Sequence, residues 1–71
     1  MMISSSHVSF NVVVGGESIE LDAKFDGNNW YEYFLGIEGK SPIEIVEKAY
    51  QLILEESISS IDQLKQYMRY N

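Results

Sequence analysis

From His7 to Val14 the chain alternates, with Val8, Phe10, Val12 and Val14 on one face and His7, Ser9, Asn11 and Val13 on the other. Ser18 to Phe25 repeats the pattern, setting Ile19, Leu21, Ala23 and Phe25 against Ser18, Glu20, Asp22 and Lys24. Period-two alternation predicts two half-buried strands. Between them, Gly15-Gly16 supplies the positive φ angles of a two-residue hairpin turn. That turn pairs Val14 with Glu17, and therefore Val12 with Ile19, Phe10 with Leu21 and Val8 with Ala23. The remaining pairs, Asn11 with Glu20, Ser9 with Asp22 and His7 with Lys24, are all polar. A slip of one residue would destroy the match.

Asp26-Gly27-Asn28-Asn29 marks a second turn. The next segment can turn either Trp30, Glu32 and Phe34 inward, or Tyr31, Tyr33, Leu35 and Ile37. A loop from Asp26 to Trp30 favours the second set, pairing Phe25 with Tyr31, Ala23 with Tyr33, Leu21 with Leu35 and Ile19 with Ile37. Lys24 then faces Glu32, a favourable cross-strand pair. The other register buries Glu32 with no partner in view, which is costly. A short helix from Trp30 to Leu35 is the competing reading.

Gly36 and Gly39 break the strand, and Ser41-Pro42-Ile43-Glu44 opens a helix with Ser at the N-cap, Pro at N1 and Glu at N3 of a capping box. Ile43, Val46, Tyr50 and Ile53 form its apolar stripe, widened by Ile45, Ala49 and Leu52, as in a helix lying on a sheet. Ser57 to Ser60 interrupts it. A second box, Ser60 to Gln63, opens a short helix with Ile61, Leu64 and Met68 inward. The expected fold is α+β: a three-stranded antiparallel sheet followed by two helices packed on one face. It forms one domain over residues 1–71, with 1–6 as a flexible N-terminus.

Seventy-one residues without cysteine permit one small core and neither a disulfide nor a thiolate metal site. Dimerisation is the ordinary remaining route to further burial. No apolar run approaches the roughly 18 to 20 residues of a membrane span, and Met1 to Ser6 lacks a secretory pattern. The expectation is a soluble, cytoplasmic protein that engages no membrane. A net charge of −6 also opposes direct binding of nucleic acid and favours a basic protein partner.

Charge is concentrated rather than spread. Between Glu17 and Glu38, six acids (Glu17, Glu20, Asp22, Asp26, Glu32 and Glu38) face Lys24 alone, a local balance of −5. The same stretch holds the aromatic block Trp30-Tyr31-Glu32-Tyr33-Phe34.

Candidate chemistry elsewhere is thin. Gly36 to Ser41 has two residues between its glycines where a phosphate loop needs four, and Pro42 removes an N–H from the helix start. Asp26, Asn28 and Glu32 do not match the calcium-loop spacing. His7, Ser9 and Asp22 lie together on an open strand face with no cleft-forming element. Paired carboxylates on a three-stranded sheet lack the burial that splits their pKa values. No enzyme, metal site or cofactor is expected. The predicted partner-binding site is Glu20, Asp22, Trp30, Glu32 and Phe34, an acidic and aromatic sheet face of the kind that marks contact surfaces.

A short, acidic, cysteine-free α+β chain with the block Glu17–Glu20–Asp22–Asp26–Glu32–Glu38 resembles the small inhibitors that phages and mobile elements encode against host defence, the anti-CRISPR and anti-restriction proteins. The resemblance covers about a third of the chain and is one of type. It implies a non-enzymatic inhibitor that occludes a basic, nucleic-acid-handling protein such as a CRISPR or restriction nuclease complex, by steric block or as a DNA mimic. Duplex DNA carries a charge every 1.7 Å or so of axis, denser than this sheet. The interspersed Trp30 and Phe34 suit protein contact. Two other readings stand beside it: a homodimeric structural module sealed by Trp30 and Phe34, and an antitoxin-like partner of a basic toxin. The succession of three strands and a helix also resembles double-stranded RNA-binding domains, but Glu44 and Glu47 stand where those need basic residues.

Overall fold

The computed structural model describes residues 7–67. The N-terminal segment 1–6 and Met68, expected inward on the second helix, lie outside them. Strands β1 (His7–Val14), β2 (Glu17–Phe25), β3 (Trp30–Glu32) and β4 (Ile37–Gly39) form one antiparallel sheet in the order β1-β2-β3-β4. Helices α1 (Pro42–Glu55) and α2 (Ile61–Lys65) follow. The α+β class is as expected, but the sheet has four strands, not three. Among the described residues, no helix is long and apolar enough to cross a membrane.

The first hairpin has the register that its alternation dictates, from His7 opposite Lys24 to Val14 opposite Glu17. Gly15 and Gly16 adopt φ of 61° and 81°, as the tight turn requires. Val12, Leu21 and Ala23 on one sheet face meet Ile45, Ala49 and Leu64 from the helices, all almost fully buried. Each fully buried Leu or Ile contributes about 1.5 to 3 kcal/mol to stability.

The third strand departs from expectation. Phe25 pairs with Trp30 and Lys24 with Tyr31, one residue from the expected register. The cause is local. The Asp26 carboxylate accepts the N–H groups of Asn28 and Asn29, each at 2.8 Å, and the Asp26 N–H donates to the Asn29 carbonyl at 3.1 Å. The turn therefore closes over four residues instead of five, and side-chain parity reverses. Trp30 and Glu32 take the covered side, while Tyr31 turns to the open one. A turn over Tyr33 to Gly36 then begins β4, with Glu32 opposite Ile37. Parity is reset, so Leu35 and Ile37 are still buried as expected, whereas Tyr33 is not.

Helix α1 is also rotated from the expected stripe. Its buried line is Ile45, Ala49 and Ile53; Ile43 is 70% exposed, and Tyr50 lies at the margin. The residues expected to widen the stripe are thus nearer its centre, because the helix crosses the sheet from β4 towards β1 and sets its own angle. Tyr50 uses that marginal position to accept the Val13 N–H at 3.0 Å. Both helix starts carry the expected Ser cap: Ser41 Oγ accepts from the Glu44 N–H and Ser60 Oγ from the Gln63 N–H. The return arms reach one residue further back than a standard box. Glu44 accepts from the Lys40 N–H and Gln63 from the Ser59 N–H.

Helix α1 ends with Ser57 at φ 55°; the Ile58 N–H donates to the Ile53 carbonyl and the Ser57 N–H to that of Leu54. This is the two-bond helix terminator in which glycine is normally preferred at the left-handed position. Ser57→Gly should stabilise the fold by about 0.5 to 1 kcal/mol, a rise of several degrees in melting temperature in a thermal scan.

Candidate functional site

The helices cover one sheet face, and the site lies on the other. There β2 presents Glu20, Asp22 and Lys24, β3 presents Tyr31, and β4 presents Glu38, which pairs with Tyr31. The Tyr31 and Tyr33 rings stack with centroids 6.2 Å apart and planes 5° from parallel. Tyr33 is 63% exposed and Phe34 42%. Asp22, Lys24, Glu32, Tyr33 and Phe34 border a shallow groove of about 160 Å³.

Among the predicted site residues, Asp22, Glu32 and Phe34 therefore gather around one groove, and Glu20 stands two positions along β2 on the same face. Trp30 does not join them. It packs against the core from the covered side, its ring centroid 5.3 Å from that of Phe25. Glu32 borders the groove but is not on offer to a partner, being 1% exposed. Its expected cross-strand contact with Lys24 is replaced, since Lys24 faces Tyr31.

The Glu32 carboxylate instead closes the Tyr33–Gly36 turn. It accepts the Phe34 N–H at 3.0 Å and the Leu35 N–H at 2.7 Å. Burial pushes its pKa up, the two N–H bonds pull it down in part, and the Asp22 charge adds to the rise. The partner of the buried Glu32 is thus the main chain of the following turn.

Tyr31 and Tyr33, expected inward from the alternation, lie on the open side instead. The available signal was Gly36, whose φ of 71° ends a tight turn and separates two strands of opposite parity. At the rim, the N–H bonds from Asn29 and Asn28 hold the Asp26 carboxyl below its ordinary value, and the Tyr31 hydroxyl beside it has its pKa raised by the same carboxylate. Asp26 Oδ1 is taken up by its own turn.

Ser9, His7 and Asp22 do converge, but in the wrong order for nucleophile activation. Ser9 Oγ donates to Asp22 Oδ1 at 2.7 Å, and His7 Nε2 lies 4.0 Å from that same oxygen. A triad needs the imidazole between hydroxyl and carboxylate. Here the carboxylate sits between, so the hydroxyl proton has no path to the base. Among the described residues, no lysine or arginine ion pair neutralises Glu20, Asp22 or Glu38. The face keeps its negative field.

Compared with known proteins, the chain matches no family model, no curated protein and no solved structure.

Proposed function

We propose that this chain is a non-enzymatic binding protein that inhibits a basic, nucleic-acid-handling protein by docking its open sheet face on it. The observation that carries the reading is the juxtaposition of Glu20, Asp22 and Glu38 with the stacked Tyr31–Tyr33 pair and Phe34, on a face that neither helix of the described residues covers. Exposed aromatics supply rigid contact area, and unneutralised carboxylates around them speed encounter with a cationic surface. Chemistry of this kind fits occlusion of a CRISPR or restriction nuclease complex, and equally a basic toxin held by an antitoxin. Steric block is favoured over nucleic-acid mimicry because the aromatics occupy the middle of the face. Of the originally expected patch, Glu20, Asp22 and Phe34 remain as contact residues; Tyr31 and Tyr33 take the place of Trp30 and Glu32. Of the two rings expected to seal a homodimer, Trp30 packs against the core and Phe34 stays exposed, which favours the hetero-partner reading.

The test is a double charge reversal, Glu20→Lys with Asp22→Lys, in a titration against the protein captured from the native host. Affinity should fall at least about tenfold at low salt, and the salt dependence should flatten. An unchanged affinity and slope would remove the open face from consideration. Because Asp22 holds the Ser9 hydroxyl, Glu20→Lys alone serves as the control that leaves this bond intact.

A further inference from the structure

The sheet has two edges, and they are treated differently. β4 is three residues long, and its Glu38 carbonyl is already taken by Lys48 Nζ at 2.7 Å. β1 is eight residues long and neutral apart from His7; it has no lysine, proline or inward charge, the usual guards of an exposed edge. The Gly15-Gly16 turn makes Val14 and Glu17 the hydrogen-bonded closing pair, so the main-chain groups of His7, Ser9, Asn11 and Val13 point away from β2. The Tyr50 hydroxyl caps the Val13 N–H. Among the described residues, the open edge is therefore His7, Ser9 and Asn11.

We propose that this edge pairs antiparallel with β1 of a second copy, about a two-fold axis at Ser9, joining two four-stranded sheets into one. Self-complementarity singles out that occupant. An axis at Ser9 sets His7 opposite Asn11 of the copy and uses each open position once. On the helix side the rows across the junction read Ala23–Val8, then Phe10–Leu21 of the copy, apolar throughout. On the other side they read Lys24–His7, then Asn11–Glu20 of the copy, with opposite charges at the two ends. The central row is Asp22–Ser9 meeting its own mirror, each hydroxyl already bonded to its own carboxylate. A shift of the axis to Phe10 would require the Val13 N–H that Tyr50 holds. The strand carries no carboxylate of its own in an acidic chain, and the two Asp22 carboxylates of the central row are each held by the Ser9 hydroxyl of their own copy. Exposed Val8 and Val13 supply apolar area on the strand itself.

Asn11→Pro tests the pairing, because it deletes an outward N–H without touching the β1–β2 ladder. Sedimentation of the full chain from micromolar to millimolar concentration should show a monomer–dimer equilibrium that Asn11→Pro weakens about tenfold or more, with unchanged circular dichroism. A wild-type chain that stays monomeric throughout, or a folded Asn11→Pro that dimerises equally well, overturns the proposal. Should the variant fail to fold, amide exchange on the wild-type chain decides. Ser9 and Asn11 must become more protected as concentration rises, and a concentration-independent rate overturns the pairing. The open-face residues Glu20 and Tyr33 are unaltered in either experiment, so its failure leaves the binding reading standing.

Discussion

Glu32→Ala should destabilise the fold by about 2 to 4 kcal/mol, a loss of roughly 10 to 25 °C in melting temperature for a domain of this size. The carboxylate is the one buried charged group among the described residues, and it is the acceptor for the Phe34 and Leu35 N–H groups. Removing it leaves the buried Leu35 N–H without its acceptor, at about 1 to 3 kcal/mol, and costs the part-buried Phe34 N–H a bond that water replaces only in part. Relief of the charge's own desolvation offsets part of this. Glu32→Gln keeps the shape and one acceptor, so its loss should be about half as large in the same denaturant titration.

The pH dependence at this site has an unusual sign for a carboxylate. Burial raises the folded-state pKa above the ordinary 4.5, so the native state binds the proton more tightly than the unfolded chain. The associated stability is fully present below 4.5 and is lost as pH rises through the folded value. The gap between wild type and Glu32→Gln should therefore be wider near pH 4 than at neutrality. Asp26 runs the other way: its lowered pKa stabilises the fold above the ordinary 3.8, and that contribution is lost as pH falls through the lower folded value. A constant gap between wild type and Glu32→Gln from pH 4 to 7 would refute the linkage.

The second large effect is expected at Gly15. An alanine there takes a φ of 61°, and its Cβ would lie 2.6 Å from the Ser59 carbonyl oxygen at the start of α2. The left-handed conformation alone costs about 1 to 2 kcal/mol. The backbone contact adds to it, because neither the hairpin turn nor the Ser59–Ser60 cap can retreat without breaking its own hydrogen bonds. A total of about 2 to 4 kcal/mol follows, against about 1 to 2 for Gly16→Ala, where the added Cβ meets nothing within 4 Å. Equal melting temperatures for the two variants would show that the turn does not pack on α2. The comparison isolates a contact between segments some forty residues apart from the conformational preference that both glycines share.

The site was partly legible in advance. Glu20, Asp22 and Phe34 were expected at an exposed face and are found there, since Glu20 and Asp22 ride on a strand whose register a two-residue turn controls. Trp30 and Glu32 were not placed correctly, because both depend on a loop one residue shorter than expected. In a strand, a single residue exchanges the two faces completely. The tyrosines expected under α1 consequently became the aromatic part of the surface.

The amino-acid sequence by itself determined the β1–β2 hairpin, its pairing and the starts of both helices, because each rests on signals a few residues apart: strict alternation, a Gly-Gly turn, a Ser cap with a Glu or Gln three positions on. Only the tertiary structure decided which face Trp30 and Tyr31 take, and how α1 is rotated. Those depend on competition between a lysine contact and two main-chain donors for Glu32, and on the angle at which a helix settles across a four-stranded sheet. Neither balance is written in any short window of the chain. Both are settled by which arrangement leaves the fewest polar groups unpaired while the core closes.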